Sequence, residues 1–83
     1  MEKNKIPWYT IPMSDKQLEY AVFCIENVAS ELGKTGTEIY NFLKKTGLLE
    51  SYLVPSYEAL HTQSKQYIVN EIISVVHERG FAA

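Results

Sequence analysis

From Met13 to Gly33 apolar residues recur every three or four positions, the spacing of one face of an α-helix. Ser14 and Gln17 stand at capping-box distance, and Met13 and Leu18 are spaced as a hydrophobic staple. Gly33 supplies the left-handed residue that ends a helix without a Cβ clash. The pattern therefore predicts a long first helix between those signals. Set at about 100° per residue, Leu18, Ala21, Val22, Ile25, Val28, Ala29 and Leu32 form its buried stripe, with Cys24 at the edge. Lys16, Glu19, Glu26, Asn27 and Ser30 take the far side, and so do two rings, Tyr20 and Phe23. Burying one such ring contributes roughly 1.5–3 kcal/mol, so something is expected to cover them.

The remaining elements are shorter. Thr35 and Glu38 repeat the capping-box spacing and predict a second helix over 36–45, buried through Ile39, Phe42 and Leu43, with Tyr40 beside them. Lys44 and Lys45 suit the negative end of its dipole, and Gly47 stops it. A third short helix is expected over 48–53, ended by Pro55. Its Leu48, Leu49, Tyr52 and Leu53 are more than one face of so short an element can hide. Ser56 can cap a turn or two through Tyr57, Leu60 and His61. Ser64 then caps a last helix over 65–79, which Gly80 closes. Its β-branched residues, from Ile68 to Val76, would suit a strand, but its length and spacing favour helix.

The chain before Met13 breaks the pattern. Residues 1–5 are charged and are expected to fray. Ile-Pro-Trp-Tyr-Thr-Ile-Pro at 6–12 is apolar, and Pro7 and Pro12 push it toward extended backbone. Carrying Trp8 and Tyr9, this arm is expected either to strap across its own domain over Tyr20 and Phe23 or to dock on a partner chain. The predicted architecture is all-α: a compact bundle of four main helices at 14–80, with an extended N-terminal arm at 1–13.

Composition narrows the class. Eighty-three residues make one small domain that buries only about 60–65% of its unfolded surface. A hydrophobic fraction of 46% argues against disorder. The net charge of −2, without a basic cluster, gives little attraction to nucleic acid or an anionic membrane. One cysteine, Cys24, excludes an intrachain disulfide and reads as a buried, reduced thiol. No run is long enough to span a membrane and no signal peptide is apparent, so a bacterial cytoplasm is the expected address.

Candidate chemistry is thin. His61 and Thr62 are the residues that most resemble a site, yet nothing nearby supplies a nucleophile or an orienting group. His61 is read instead as bonding a backbone carbonyl at a helix junction. No metal spacing links His61 to His77, and neither metal nor cofactor is expected. A helix-turn-helix around Gly47 would present Glu50 where a DNA reader brings Arg, Lys, Asn or Gln. The surplus rings point elsewhere, because Tyr and Trp are enriched at protein interfaces.

Two segments, YAVFCIENVASELGKTGTEIYNFLKKTGLLESYL and YEALHTQSKQYIVNEI, resemble a small bacterial family of unknown function. The likeness covers 16–76 and rests on FCIE, the glycine-bounded second helix, and Tyr57-x-x-Leu60-His61-Thr62 followed by Tyr67-Ile68-Val69. It implies no enzymatic residues. Its members resemble products of genes found beside ADP-ribosyltransferase-like proteins, which implies a partner role, antitoxin-like in kind. The expectation is a non-catalytic protein-binding module or a homodimer, with Trp8, Tyr9, Tyr20 and Phe23 as contacts. A small DNA-binding regulator is the alternative.

Overall fold

The computed structural model describes residues 13–81. The arm before Met13, with Trp8 and Tyr9, lies outside them. Among the described residues every regular element is helical. In order these are α1 (Asp15–Leu32), α2 (Gly36–Thr46), a π-helical turn (Leu49–Leu53), α3 (Tyr57–Leu60) and α4 (Lys65–Glu78).

Local signals fix the ends of these helices. Ser14 Oγ accepts from the Gln17 amide at 3.1 Å, and Gln17 Oε1 accepts from the Ser14 amide at 3.0 Å. Thr35 and Glu38 form the same reciprocal pair at 3.1 and 2.9 Å. The bond from the Thr35 amide, and one from the Thr35 hydroxyl, hold the exposed Glu38 carboxyl below its ordinary range. Ser64 Oγ caps α4 through the Tyr67 amide at 3.2 Å. At the far end of α1 the Lys34 amide reaches Ala29 O and the Gly33 amide reaches Ser30 O, which is a Schellman motif.

Two glycines beside α1 and α2 behave oppositely. Gly33 has φ +70, so a Cβ there is strained even in open space. Gly36 begins α2 without a positive φ, and a Cβ there meets only the tip of the Glu26 side chain at 3.3 Å and Ile25 Cγ2 at 3.8 Å. Gly33→Ala is expected to cost about 1 kcal/mol, whereas Gly36→Ala is expected to add about 0.5 kcal/mol by stiffening the unfolded chain. Opposite shifts of the urea midpoint check the pair.

The third element departs from expectation. The Val54 amide bonds Leu49 O at 3.0 Å, an i→i+5 bond, and Pro55 has no amide to continue the ladder. Widening has a packing reason. At about 100° per residue Leu48, Leu49, Leu53 and Val54 spread around most of a helix. At the roughly 80° per residue of a π turn they gather within about 120°. All four are buried.

One core joins the elements. α1 lies against α2 and α4, and the π turn packs on α2. Ile25, Val28, Ile39, Leu43, Leu48, Leu49, Leu53, Ile72 and Val76 are almost fully enclosed. Phe81 packs edge-on against Phe42 with ring centres 5.0 Å apart, which attaches the end of the described chain to α2.

The buried face of α1 is turned from its expected position. Tyr20, Ala21, Cys24, Ile25, Val28 and Ala29 are buried, while Leu18, Val22 and Leu32 are only half-buried. The arc has rotated by about 50° toward Cys24, at 100° per residue. Tyr20 and Cys24 are i,i+4 neighbours, so whatever covers the thiol also covers the ring. Tyr20 therefore belongs to the core and not to the polar face on which its spacing placed it.

Candidate functional site

The two outer rings of α1 have different fates. Tyr20 keeps only 6% of its surface exposed, whereas Phe23 keeps 37%. The cover over Tyr20 comes from the short segment that begins at Ser56. Tyr57, at the start of α3, meets the Tyr20 ring edge-on with centres 5.5 Å apart. Ser56, just before it, lies 2.8 Å from the Tyr20 hydroxyl. Ser56 Oγ also donates to Leu53 O at 2.6 Å. A hydroxyl has one proton, so Tyr20 donates to Ser56 and Ser56 to the carbonyl. This relay ties the middle of α1 to the π turn.

His61 follows α3 and turns back onto it. Its ring stacks on Tyr57 with centres 4.1 Å apart and planes 12° from parallel. Its Nδ1 lies 2.6 Å from Tyr57 O. A carbonyl only accepts, so Nδ1 carries the hydrogen and Nε2 is left facing outward as an acceptor in the neutral ring. The expectation that His61 bonds a backbone carbonyl holds. Leu60 is half-buried against the core, and Thr62 is exposed.

These rings wall a groove of about 340 Å³ along the outer face of α1. Lys16, Glu19, Tyr20 and Phe23 form one side, and Tyr57, His61, Gln63, Lys65 and Ile68 the other. The floor is aromatic, and the rim carries both signs of charge. Structure thus brings Tyr20, Phe23, Tyr57 and His61 into one place. Sequence reasoning had paired the first two and listed the last two separately. It missed Lys16, Glu19, Gln63, Lys65 and Ile68 as lining; α1 periodicity could have found the first two.

Behind the groove sits a buried polar group of a different kind. Cys24 is fully buried, and burial pushes its thiol up to about 12 from an ordinary value of 9.0. Burial also raises Tyr20 above its ordinary 10.0, partly offset by its hydrogen bond with Ser56. Tyr52 is raised by burial and then by the Glu71 carboxylate. In the unfolded chain these groups ionise near 9 and 10, while the folded ones hold their protons to higher pH. Their contribution is complete below pH 9 and is lost as pH rises from 9 toward 12, at up to about 1.4 kcal/mol per group for each pH unit. The melting temperature is expected to fall steadily above pH 9, and Cys24→Ala is expected to make the onset shallower.

Other features bear on ligands. Among the described residues no three His, Cys, Asp or Glu side chains are grouped to hold a metal ion. No helix among them is long and apolar enough to cross a membrane. The stretch after Gly47, the sequence's candidate DNA-reading helix, is the π turn. It puts its leucines into the core and shows Glu50 to solvent, 3.7 Å from Lys44.

The family model described as a protein of unknown function, DUF3791, matches residues 19–79. The chain belongs to DUF3791. No curated protein and no solved structure matches it. The DUF3791 span begins at Glu19, so it holds both walls of the groove except Lys16, and it leaves out the segment at 6–12.

Proposed function

We propose that this chain is a non-catalytic binding module that docks a protein partner in the groove beside Phe23. The observation that carries the reading is the combination of an incompletely covered Phe23 with wall rings that already have contacts of their own. Tyr57 is fixed by its edge contact with Tyr20, and His61 by its stack and its bond to Tyr57 O. A preformed aromatic floor loses little side-chain entropy on binding, which favours a docking surface. His61 supports the same reading, because its Nδ1 serves the wall.

The partner class follows from the family likeness. The resemblance read from the sequence implies a gene neighbourhood with ADP-ribosyltransferase-like proteins, so the partner proposed is such an enzyme and the role is antitoxin-like, by occlusion or docking. Tyr67 on α4 is a second exposed ring, with 47% of its surface accessible. Co-expression with an ADP-ribosyltransferase-like protein tests the reading. A complex is expected that survives purification, and Phe23→Ser is expected to weaken it at least tenfold. Absence of a complex, or equal capture by Phe23→Ser, overturns it. A mass of two chains for the isolated protein, lost in Phe23→Ser, would assign the surface to self-association instead.

A further inference from the structure

We propose that the resident occupant of the groove is this chain's own segment at 6–12, with Trp8 laid over Phe23. The segment's chemistry matches the floor. From Ile6 to Met13 there is no charged residue, and four of the side chains are Ile6, Trp8, Tyr9 and Ile11. Pro7 and Pro12 keep the backbone from closing a helix, so the segment cannot bury these groups against itself. Left in water they would forgo the gain from burying their apolar surface. The indole N–H and the phenol have polar tips that suit a rim of Lys16, Glu19 and Lys65.

Reach fits as well. Phe23 stands about 12 Å along the axis from Asp15, at roughly 1.5 Å per residue. The chain from Met13 back to Trp8 spans up to about 17 Å when extended. The segment leaves from the N-terminal end of the same helix whose outer face bears the groove, so it needs only to double back. Tethering decides between this copy and another. A short link holds the segment at an effective concentration on the order of millimolar, far above the protein's own concentration in dilute solution. A partner must then displace the segment. That consequence rests on the proposed binding role, while the docking itself does not.

The chain has a single tryptophan, which makes Trp8 its own reporter. In the full 83-residue chain its emission is expected to be blue-shifted from that of the denatured chain, with acrylamide quenching several-fold weaker. Phe23→Ser is expected to abolish both differences while circular dichroism and cooperative melting show an intact fold. Phe23→Leu, which keeps the floor apolar, is expected to retain them. Should Phe23→Ser fail to fold, nuclear Overhauser contacts between the Trp8 indole and the Phe23 ring in the unaltered chain read the same geometry. Three results overturn the proposal: solvent-like emission from Trp8 in the unaltered chain, protection unchanged in Phe23→Ser, or protection that disappears on dilution together with a dimer's mass. The last would make a second copy the occupant. None of these needs the partner protein, so failure here is separate from failure of the capture experiment.

Discussion

Truncating Ile25 to alanine is expected to lower the unfolding free energy by about 3–4 kcal/mol, in the upper part of the range for buried Ile and Leu. Ile25 is 1% exposed in the middle of α1, and its Cγ2 lies close to the first residue of α2. The cavity would open where α1 meets α2, between two helices that cannot both move inward. For a domain this small the total stability is on the order of 5 kcal/mol, so most of it would be lost. Val22→Ala is the informative partner. Spacing alone puts Val22 in the same stripe, yet it is only half-buried, and its truncation is expected to cost about 1 kcal/mol. Urea unfolding of the two variants checks both values. Equal losses would mean that the buried arc of α1 has not rotated toward Cys24.

Ser56→Ala is expected to cost about 1–3 kcal/mol, more than Tyr20→Phe at about 1 kcal/mol, although each deletes one oxygen from the same bond. The asymmetry lies in what is left behind. Without Ser56 Oγ, the buried Tyr20 hydroxyl loses its acceptor at 2.8 Å and Leu53 O loses a donor at 2.6 Å. Without the Tyr20 hydroxyl, Ser56 still donates to Leu53 O. The double variant is expected to be more stable than Ser56→Ala alone, because no buried hydroxyl is stranded. A double-mutant cycle by chemical denaturation measures the coupling directly. Additive losses would show that the relay does not hold the π turn to α1.

The parts of the fold that were legible beforehand are those decided within three or four residues. Ser14 with Gln17, Thr35 with Glu38, and Ser64 with the Tyr67 amide are contacts made inside one helical turn. No distant residue can move them. The all-α class follows from the same periodicity and holds. His61 was also readable, since its carbonyl partner is four residues back. The π turn was not. Whether the Val54 amide bonds the fourth or the fifth residue back depends on how many apolar side chains the core accepts there. A helical wheel assumes the answer.

Sequence by itself determined where α1, α2 and α4 begin, where their capping glycines end α1 and α2, and that the protein is helical. Tertiary structure alone decided the fate of the two outer rings. Tyr20 and Phe23 lie only about 60° apart on α1, at 100° per residue, and nothing local distinguishes them. Ser56 and Tyr57 fold back onto one of them and stop short of the other, and that is what leaves an aromatic groove on this protein. Which side of a helix a distant segment covers depends on how that segment packs, and that is set by contacts far apart in the chain.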